Sequence, residues 1–303
     1  MFHFLISRVD VPWHSCSTSI LRVVVLGYWS FVLSVCLPIS SVLTSWITAK
    51  ETKYVVGANI SNGSHEDRTH EGNIRGRKKR VIIARKYFHL VAILLFAPVT
   101  WLDPDMMALS YGIAIALLIV LEMVRGWTFT DDNDWEAGAL SDFYMIFLDE
   151  KDSSAAKGGL AVTHIALIVG CAFPLWASQL LHPTDTQDAF LALLPFLGVV
   201  VLGIGDSAGA IGGISFGHYH WSGGSSRTLE GSFCIFLSVL IVTNICMGNG
   251  ISGENERCLH QIIEFSVPVL IITLVEASTT QIDNLCLPIA GSTLVLLMTK
   301  LGR

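Results

Sequence analysis

Apolar residues in this chain fall in long, separated runs, not at the i, i+3, i+4, i+7 spacing of a helix with one wet face. A helix that crosses a bilayer needs about 20 mostly apolar residues. Runs near 20–47, 87–102, 106–124, 160–181, 189–216, 232–248, 262–279 and 285–301 meet or approach that length. The pattern predicts an all-α, polytopic integral membrane protein with about eight transmembrane helices. The run after His89 and the last one, LCLPIAGSTLVLLMTKL, are short, which suits helices that tilt little, thin the bilayer or pack inside the bundle. The first run exceeds a secretory apolar core and has no clean small-residue cleavage site, so it is expected to stay as an anchor.

Polar segments between the runs give orientation. Ten of the nineteen Lys and Arg residues lie between Lys50 and Lys86, with RGRKKR at 75–80. The positive-inside rule makes that segment cytosolic. Alternation from there brings 125–159, 217–231 and 280–284 to the same face. Two sequons, at Asn59 and Asn62, point the other way, because they are glycosylated only in the lumen; the charge carries the greater weight. Gly, Ser, Asn and His are dense from Gly57 to Asn73, as in a flexible linker. The chain therefore divides into an N-terminal anchor with a basic linker, 1–86, and a polytopic catalytic domain, 87–303. Beside a span, RGRKKR reads as an orienting, lipid-touching cluster before a nucleic-acid patch, so no nucleic-acid partner is expected.

Composition narrows the chemistry. Hydrophobic residues make up 52% of the chain and charged ones 15%, so each ionisable group at membrane depth is a candidate for function. Seven cysteines, without CxxC spacing, indicate neither a disulfide framework nor a zinc site.

The segment Gly203–Gly231, GIGDSAGAIGGISFGHYHWSGGSSRTLEG, concentrates the polar groups. Gly205, Gly209, Gly213 and Gly217 recur at i+4, a bare stripe on which another helix can pack closely. Packing accounts for the glycines but not for Asp206, whose carboxylate beside the stripe suits a magnesium ligand or a general base. Downstream, Gly217, His218 and Trp221 lead to Gly223, Gly224, Ser225 and Ser226, where backbone N–H groups can point at an anion. Arg227 supplies a forked donor for phosphate oxygens, and Thr228-Leu229-Glu230-Gly231 opens the next helix, whose N-terminus faces the same point. The loop lacks the GxxxxGK[ST] pattern. Three more clusters share the face: Arg85 to His89, Glu122 with Arg125, and FLDEKD at 147–152. Each taken singly suits an interfacial anchor or a solvated charge run. His164 suits a satisfied helix histidine, and Glu276, Asp283 and Asn284 add polar groups on the same side.

Together these residues resemble the dolichol kinases, CTP-dependent polyprenol kinases of the endoplasmic reticulum membrane. The resemblance covers about 85–288: RKYFH at 85–89, LEMVR at 121–125, FLDEKDS at 147–153, THIALIVGCAFPLW at 163–176, GDSAGAIGGISFGHYHW with SSRTLEG across 205–231, and EASTTQIDNLCLP at 276–288. It implies transfer of the γ-phosphoryl group of CTP to dolichol, with magnesium or another divalent cation, at the cytosolic face, supplying dolichyl phosphate for protein glycosylation. Under it Asp206 holds the metal or activates the hydroxyl. Arg227, Thr228 and the 222–226 backbone take the phosphates, within a CTP loop near 217–231 that also includes Gly217, His218, Trp221 and Gly231. Glu230 is a second metal ligand or orders the loop, and Lys86, His89 and Asp149 complete the site.

Arg227 departs from the family's usual Lys, and one span precedes the basic linker where the family commonly has more, so the chain looks like the C-terminal catalytic part. Phytol and diacylglycerol kinases and phosphatidate cytidylyltransferases are the near alternatives. The cytidylyltransferases' HGG-x-DR-x-D element is missing here. A transporter is the alternative from another class, but Gly203–Gly231 has no counterpart elsewhere, as an inverted repeat requires.

Overall fold

A computed structural model of the protein describes residues 17–58, 83, 86–128, 162–181, 189–221, 227–246, 255–278 and 283–301. Among these, helices account for nearly everything, and the one β-type pairing is an isolated bridge between His220 and Thr228. The all-α expectation holds. Helices occupy all eight predicted runs: α1 (Ser17–Ala58), α2 (Lys86–Leu102), α3 (Pro104–Thr128), α4 (Val162–Leu181), a composite rod over 189–216, α7 (Leu229–Cys246), α8 (Asn255–Ser278) and α9 (Asp283–Leu301). Four described helical stretches are long and apolar enough to cross a membrane: Ser19–Leu43, Pro104–Val124, Val162–Leu181 and Val199–Phe216. The apolar parts of α2, α7, α8 and α9 are shorter. The linker and sequons expected over 57–73 lie, from 59 onward, outside the described residues.

α1 is anchored antiparallel to α2 by side chains that reach backbone. Trp29 Nε1 donates to the Leu95 carbonyl at 2.9 Å, Tyr28 Oη donates to Leu94, and Tyr87 Oη donates to Cys36 at 2.7 Å. At the far end Arg22 pairs with Asp103 at 3.2 Å. Asp103 also starts α3: its Oδ1 accepts the Met106 N–H at 2.9 Å, and Pro104 follows, an N-cap with proline at the first helical position.

The composite rod is the centre of the bundle. It begins as α5 (Ala189–Leu193), tightens to a 3₁₀ turn (Leu194–Phe196), widens to a π turn (Val199–Gly205) and continues as α6 (Asp206–Phe216). Successive residues of the π turn enter three different cores. Val199 and Leu202 pack with Val99, Met107, Tyr111 and Leu175 of α2, α3 and α4. Val200 joins Ile235, Val239 and Val269 of α7 and α8, and Val201 joins Phe265, Ile272, Leu287 and Val295 of α8 and α9. Each is at most 4% exposed, so the π turn of the rod is apolar all round and enclosed. On the periphery the reverse holds, with Val23, Phe31 and Val42 of α1 and Leu109, Leu117 and Met123 of α3 all more than half exposed, the arrangement of a bundle solvated by lipid.

The glycine stripe packs as expected. A Cβ at Gly209 would lie 2.5 Å from Ile235 Cγ1, and one at Gly205 would lie 2.9 Å from Val239 Cγ2. Gly212, which the i+4 stripe leaves out, also fits tightly, against Cys234. α6 and α7 are therefore locked backbone to side chain, and this fixes where Asp206 and the loop after Gly217 stand.

Candidate active site

Asp206 is the first residue of α6, directly after the π turn. A π turn inserts an extra residue into the helical repeat, so every side chain after it is rotated relative to an unbroken helix. That rotation turns Asp206 toward α2. Its Oδ2 accepts a hydrogen bond from Lys86 Nζ at 2.5 Å and lies 3.2 Å from His89 Nε2. Lys86 and His89 are three apart on α2 and so share a face. Their side chains are 14% and 6% exposed, while that of Asp206 is 36% exposed. The most open member of the cluster is thus the carboxylate, with the two cation-forming side chains packed behind it. Ser207 Oγ, beside Asp206, is buried with no hydrogen-bond partner among the described residues.

The second cluster is the neck of the 217–231 loop. Leu229 N–H donates to the Tyr219 carbonyl at 2.8 Å, Trp221 N–H donates to Arg227 at 3.2 Å, and His220 pairs with Thr228 between them. These three contacts close a short antiparallel clasp around 222–226. Thr228 is 7% exposed and lies against Gly213, Gly217 and Gly231, where added Cβ atoms would crowd its side chain. Its Oγ1 accepts the Gly231 N–H at 3.1 Å, making it the N-cap of α7. The Glu230 carboxylate accepts the backbone N–H groups of His218, at 3.0 Å, and Tyr219, at 3.1 Å. Trp221 Nε1 donates to Ser232 Oγ at 2.9 Å. Arg227 Nη1 lies 3.2 Å from Glu276 Oε1 on the last turn of α8, with both side chains mostly buried.

The Thr228 and Glu230 contacts bear on two expectations. Thr228 and the α7 N-terminus were expected to face phosphate. Instead the Leu229 N–H is taken by Tyr219, the Gly231 N–H by the Thr228 hydroxyl and the Ser232 N–H by the Thr228 carbonyl. Glu230 was expected to bind metal or to order the loop, and the hydrogen bonds it makes serve loop order. Asp206 and the loop neck stand at opposite ends of α6, about 15 Å apart along its axis at 1.5 Å per residue.

Of the other expected site residues, Asp149, Gly223, Gly224, Ser225 and Ser226 lie outside the described residues. Two features had no sequence signal: the π turn, and the pairing of Arg227 with Glu276. Glu276 stood out only as a further carboxylate on the shared face.

Magnesium binds one or two carboxylates together with substrate phosphates. Among the described residues no group of three or more His, Cys, Asp or Glu converges. Asp206 presents a single carboxylate with two cation-forming neighbours. This donor set does not form a resident metal cage; a single carboxylate is compatible only with an ion that arrives on a nucleotide and takes most of its ligands from phosphate and water.

No family model matches the chain, and no solved structure matches it. Curated proteins do. The chain is 31% identical over 274 residues to the dolichol kinase of Homo sapiens, covering 88% of this chain and 44% of that protein. It is 30% identical over 292 residues to the dolichol kinase of Mus musculus, covering 95% and 48%. With the Arabidopsis thaliana dolichol kinase EVAN the identity is 32% over 224 residues, covering 74% and 36%. The chain spans less than half the length of these relatives.

Proposed function

Since the chain belongs to the dolichol kinase family, we propose that it transfers the γ-phosphoryl group of CTP to the terminal hydroxyl of dolichol, giving dolichyl phosphate and CDP. The observation that carries this reading is the Lys86–Asp206–His89 cluster at the end of the central rod. Phosphoryl transfer asks a protein mainly for position and charge. In-line attack needs the reacting atoms about 3–3.5 Å apart, so hydroxyl and γ-phosphoryl meet at one end of α6. Asp206, open on one side, accepts the hydroxyl proton or orients the hydroxyl. Lys86 sets a positive charge against the transferring group. His89 is packed behind and holds the carboxylate in place, and the buried Ser207 hydroxyl, next in the chain and without a hydrogen-bond partner among the described residues, is a donor left for a substrate oxygen.

The loop neck, about 15 Å away along α6, then takes the other end of the nucleotide, with Arg227 on its inner phosphates. His218, Trp221 and the 222–226 backbone complete that end, and Glu230 and Thr228 hold its shape from beneath. Magnesium, arriving with the nucleotide, neutralises phosphate charge when bound. The site faces the cytosol in an endoplasmic reticulum membrane crossed by about eight helices, the acceptor entering laterally from lipid. This reading rests on the basic segment before Lys86.

A panel assay tests the activity. Purified protein is given CTP labelled at the γ position, magnesium, and dolichol, phytol, diacylglycerol or phosphatidate in turn. The expected result is label on dolichol ahead of the other alcohols and no pyrophosphate from phosphatidate. Pyrophosphate release with phosphatidate, or label on phytol or diacylglycerol alone, would move the chain to one of the related CTP-using classes.

A further inference from the structure

The ion pair between Arg227 and Glu276 joins the loop neck to the C-terminal turn of α8. A carboxylate there is unfavourably placed, because the helix end already carries partial negative charge and unsatisfied carbonyls. Each side chain is about four-fifths buried, 20% and 17% exposed, so the pair is held among protein groups and is not a loose surface contact. Arg227 sits at the mouth of the clasp, its own carbonyl accepting the Trp221 N–H that closes the neck. Its backbone is therefore set by the loop, and its guanidinium is held by a helix from another part of the bundle.

We infer that Glu276 is a positioning residue for the nucleotide: it orients the Arg227 guanidinium toward the donor's phosphates and ties the loop neck to α8. The inference rests on the kinase reading above, since it takes Arg227 as the phosphate ligand. A guanidinium presents a planar fork of five N–H donors, so it can keep a carboxylate on one edge and take phosphate oxygens on another. Lysine carries its three donors on one ammonium at the end of a flexible stem, so it offers no fixed pair of edges for the two acceptors. The arginine at 227 thus has a structural reason in this chain. Because the loop is an α6 length away from Asp206, loss of Glu276 is expected to weaken nucleotide binding and to leave the chemical step alone.

The test uses the full chain in detergent or nanodiscs, with equilibrium binding of labelled CTP measured first and transfer to dolichol second. Glu276→Gln should raise both the Kd and the KM for CTP about tenfold, the equivalent of one charge-assisted hydrogen bond. Its kcat and KM for dolichol should stay within about twofold of wild type. Glu276→Asp should recover part of the loss. With Arg227→Ala already present, adding Glu276→Gln should cost little more, because the two act as one unit. If wild type binds CTP and Glu276→Gln binds it equally well, the positioning role is overturned while the kinase reading stands. If Glu276→Gln lowers kcat and leaves the KM for CTP unchanged, the positioning role is likewise overturned. A wild type that neither binds nor consumes CTP overturns both.

Discussion

Lys86 and Asp206, 120 positions apart in the chain, meet at 2.5 Å where α2 begins and the central π turn ends. The contact joins the last residue of the basic linker to the carboxylate that follows the enclosed π turn. Lys86 is the more buried partner, so removing Asp206 leaves a cationic side chain enclosed without its counter-ion. Asp206→Asn is therefore expected to lower stability as well as activity, by about 1–3 kcal/mol, the cost of stranding a partly buried charged group. Thermal unfolding in detergent checks this. Combining Asp206→Asn with Lys86→Met should restore much of the melting temperature and none of the transfer.

Ser207→Ala should behave in the opposite way. The hydroxyl has no internal hydrogen bond among the described residues, so its loss should leave the stability within about 0.5 kcal/mol of wild type. With the hydroxyl serving a substrate oxygen, kcat should fall about two- to tenfold, as expected for one lost hydrogen bond of about 0.5–1.5 kcal/mol. Steady-state kinetics beside a thermal scan separates the two effects.

Gly209 is a packing position. A methyl group there would sit 2.5 Å from Ile235 Cγ1, a clash relieved by displacing the Ile235 side chain or by moving α6 and α7 apart. Gly209→Ala should cost about 1–3 kcal/mol, and Ile235→Ala in the same chain should return part of it by opening space. Melting temperatures of the two single variants and the double variant make the comparison.

Thr228 caps α7 through its hydroxyl. Thr228→Ala should cost about 1 kcal/mol and weaken CTP binding through a looser clasp. Thr228→Ser, which keeps the acceptor oxygen, should stay near wild type in both. Unfolding midpoint and labelled-CTP affinity together report the outcome.

Orientation can be read by accessibility. With the endogenous cysteines replaced, Ser64→Cys and Ser225→Cys should react with a membrane-impermeant thiol reagent from the same, cytosolic side, and Asn59 and Asn62 should carry no glycan. Reaction from the lumenal side, or a glycan at either asparagine, would give the sequons precedence over the positive-inside rule.

What was readable in the sequence follows from the range of each interaction. Eight apolar runs announced eight helical rods, because apolar content is a local property of the chain. The glycines before Gly217 announced close packing for the same reason. Length was less readable: the runs do not separate Pro104–Val124, long enough to cross a membrane, from Leu229–Ile245, which is shorter. The π turn at Val199–Gly205 was invisible, since VVVLGIG suits an α-helix equally well and the wider turn arises from packing on three sides. For the site, Asp206 stood out as an ionisable group at membrane depth and Lys86 with His89 as a polar cluster opening the second run, yet nothing local joined residues 86 and 206. A hydroxyl before a helix serves equally as a phosphate ligand or as a cap, and only the contact to Gly231 in the folded chain shows the capping role.

The central claim is that the Asp206 end of the rod carries out transfer to dolichol while the loop neck holds the nucleotide. Wild type and Asp206→Asn, each confirmed as folded, are incubated with γ-labelled CTP, magnesium and dolichol, and both label transfer and CTP affinity are measured. The account predicts labelled dolichyl phosphate from wild type, at least about a 100-fold loss in Asp206→Asn as for removal of an acid–base group, and CTP affinity within a few-fold between the two. Unlabelled dolichol with wild type, or transfer by Asp206→Asn at the wild-type rate, would contradict it.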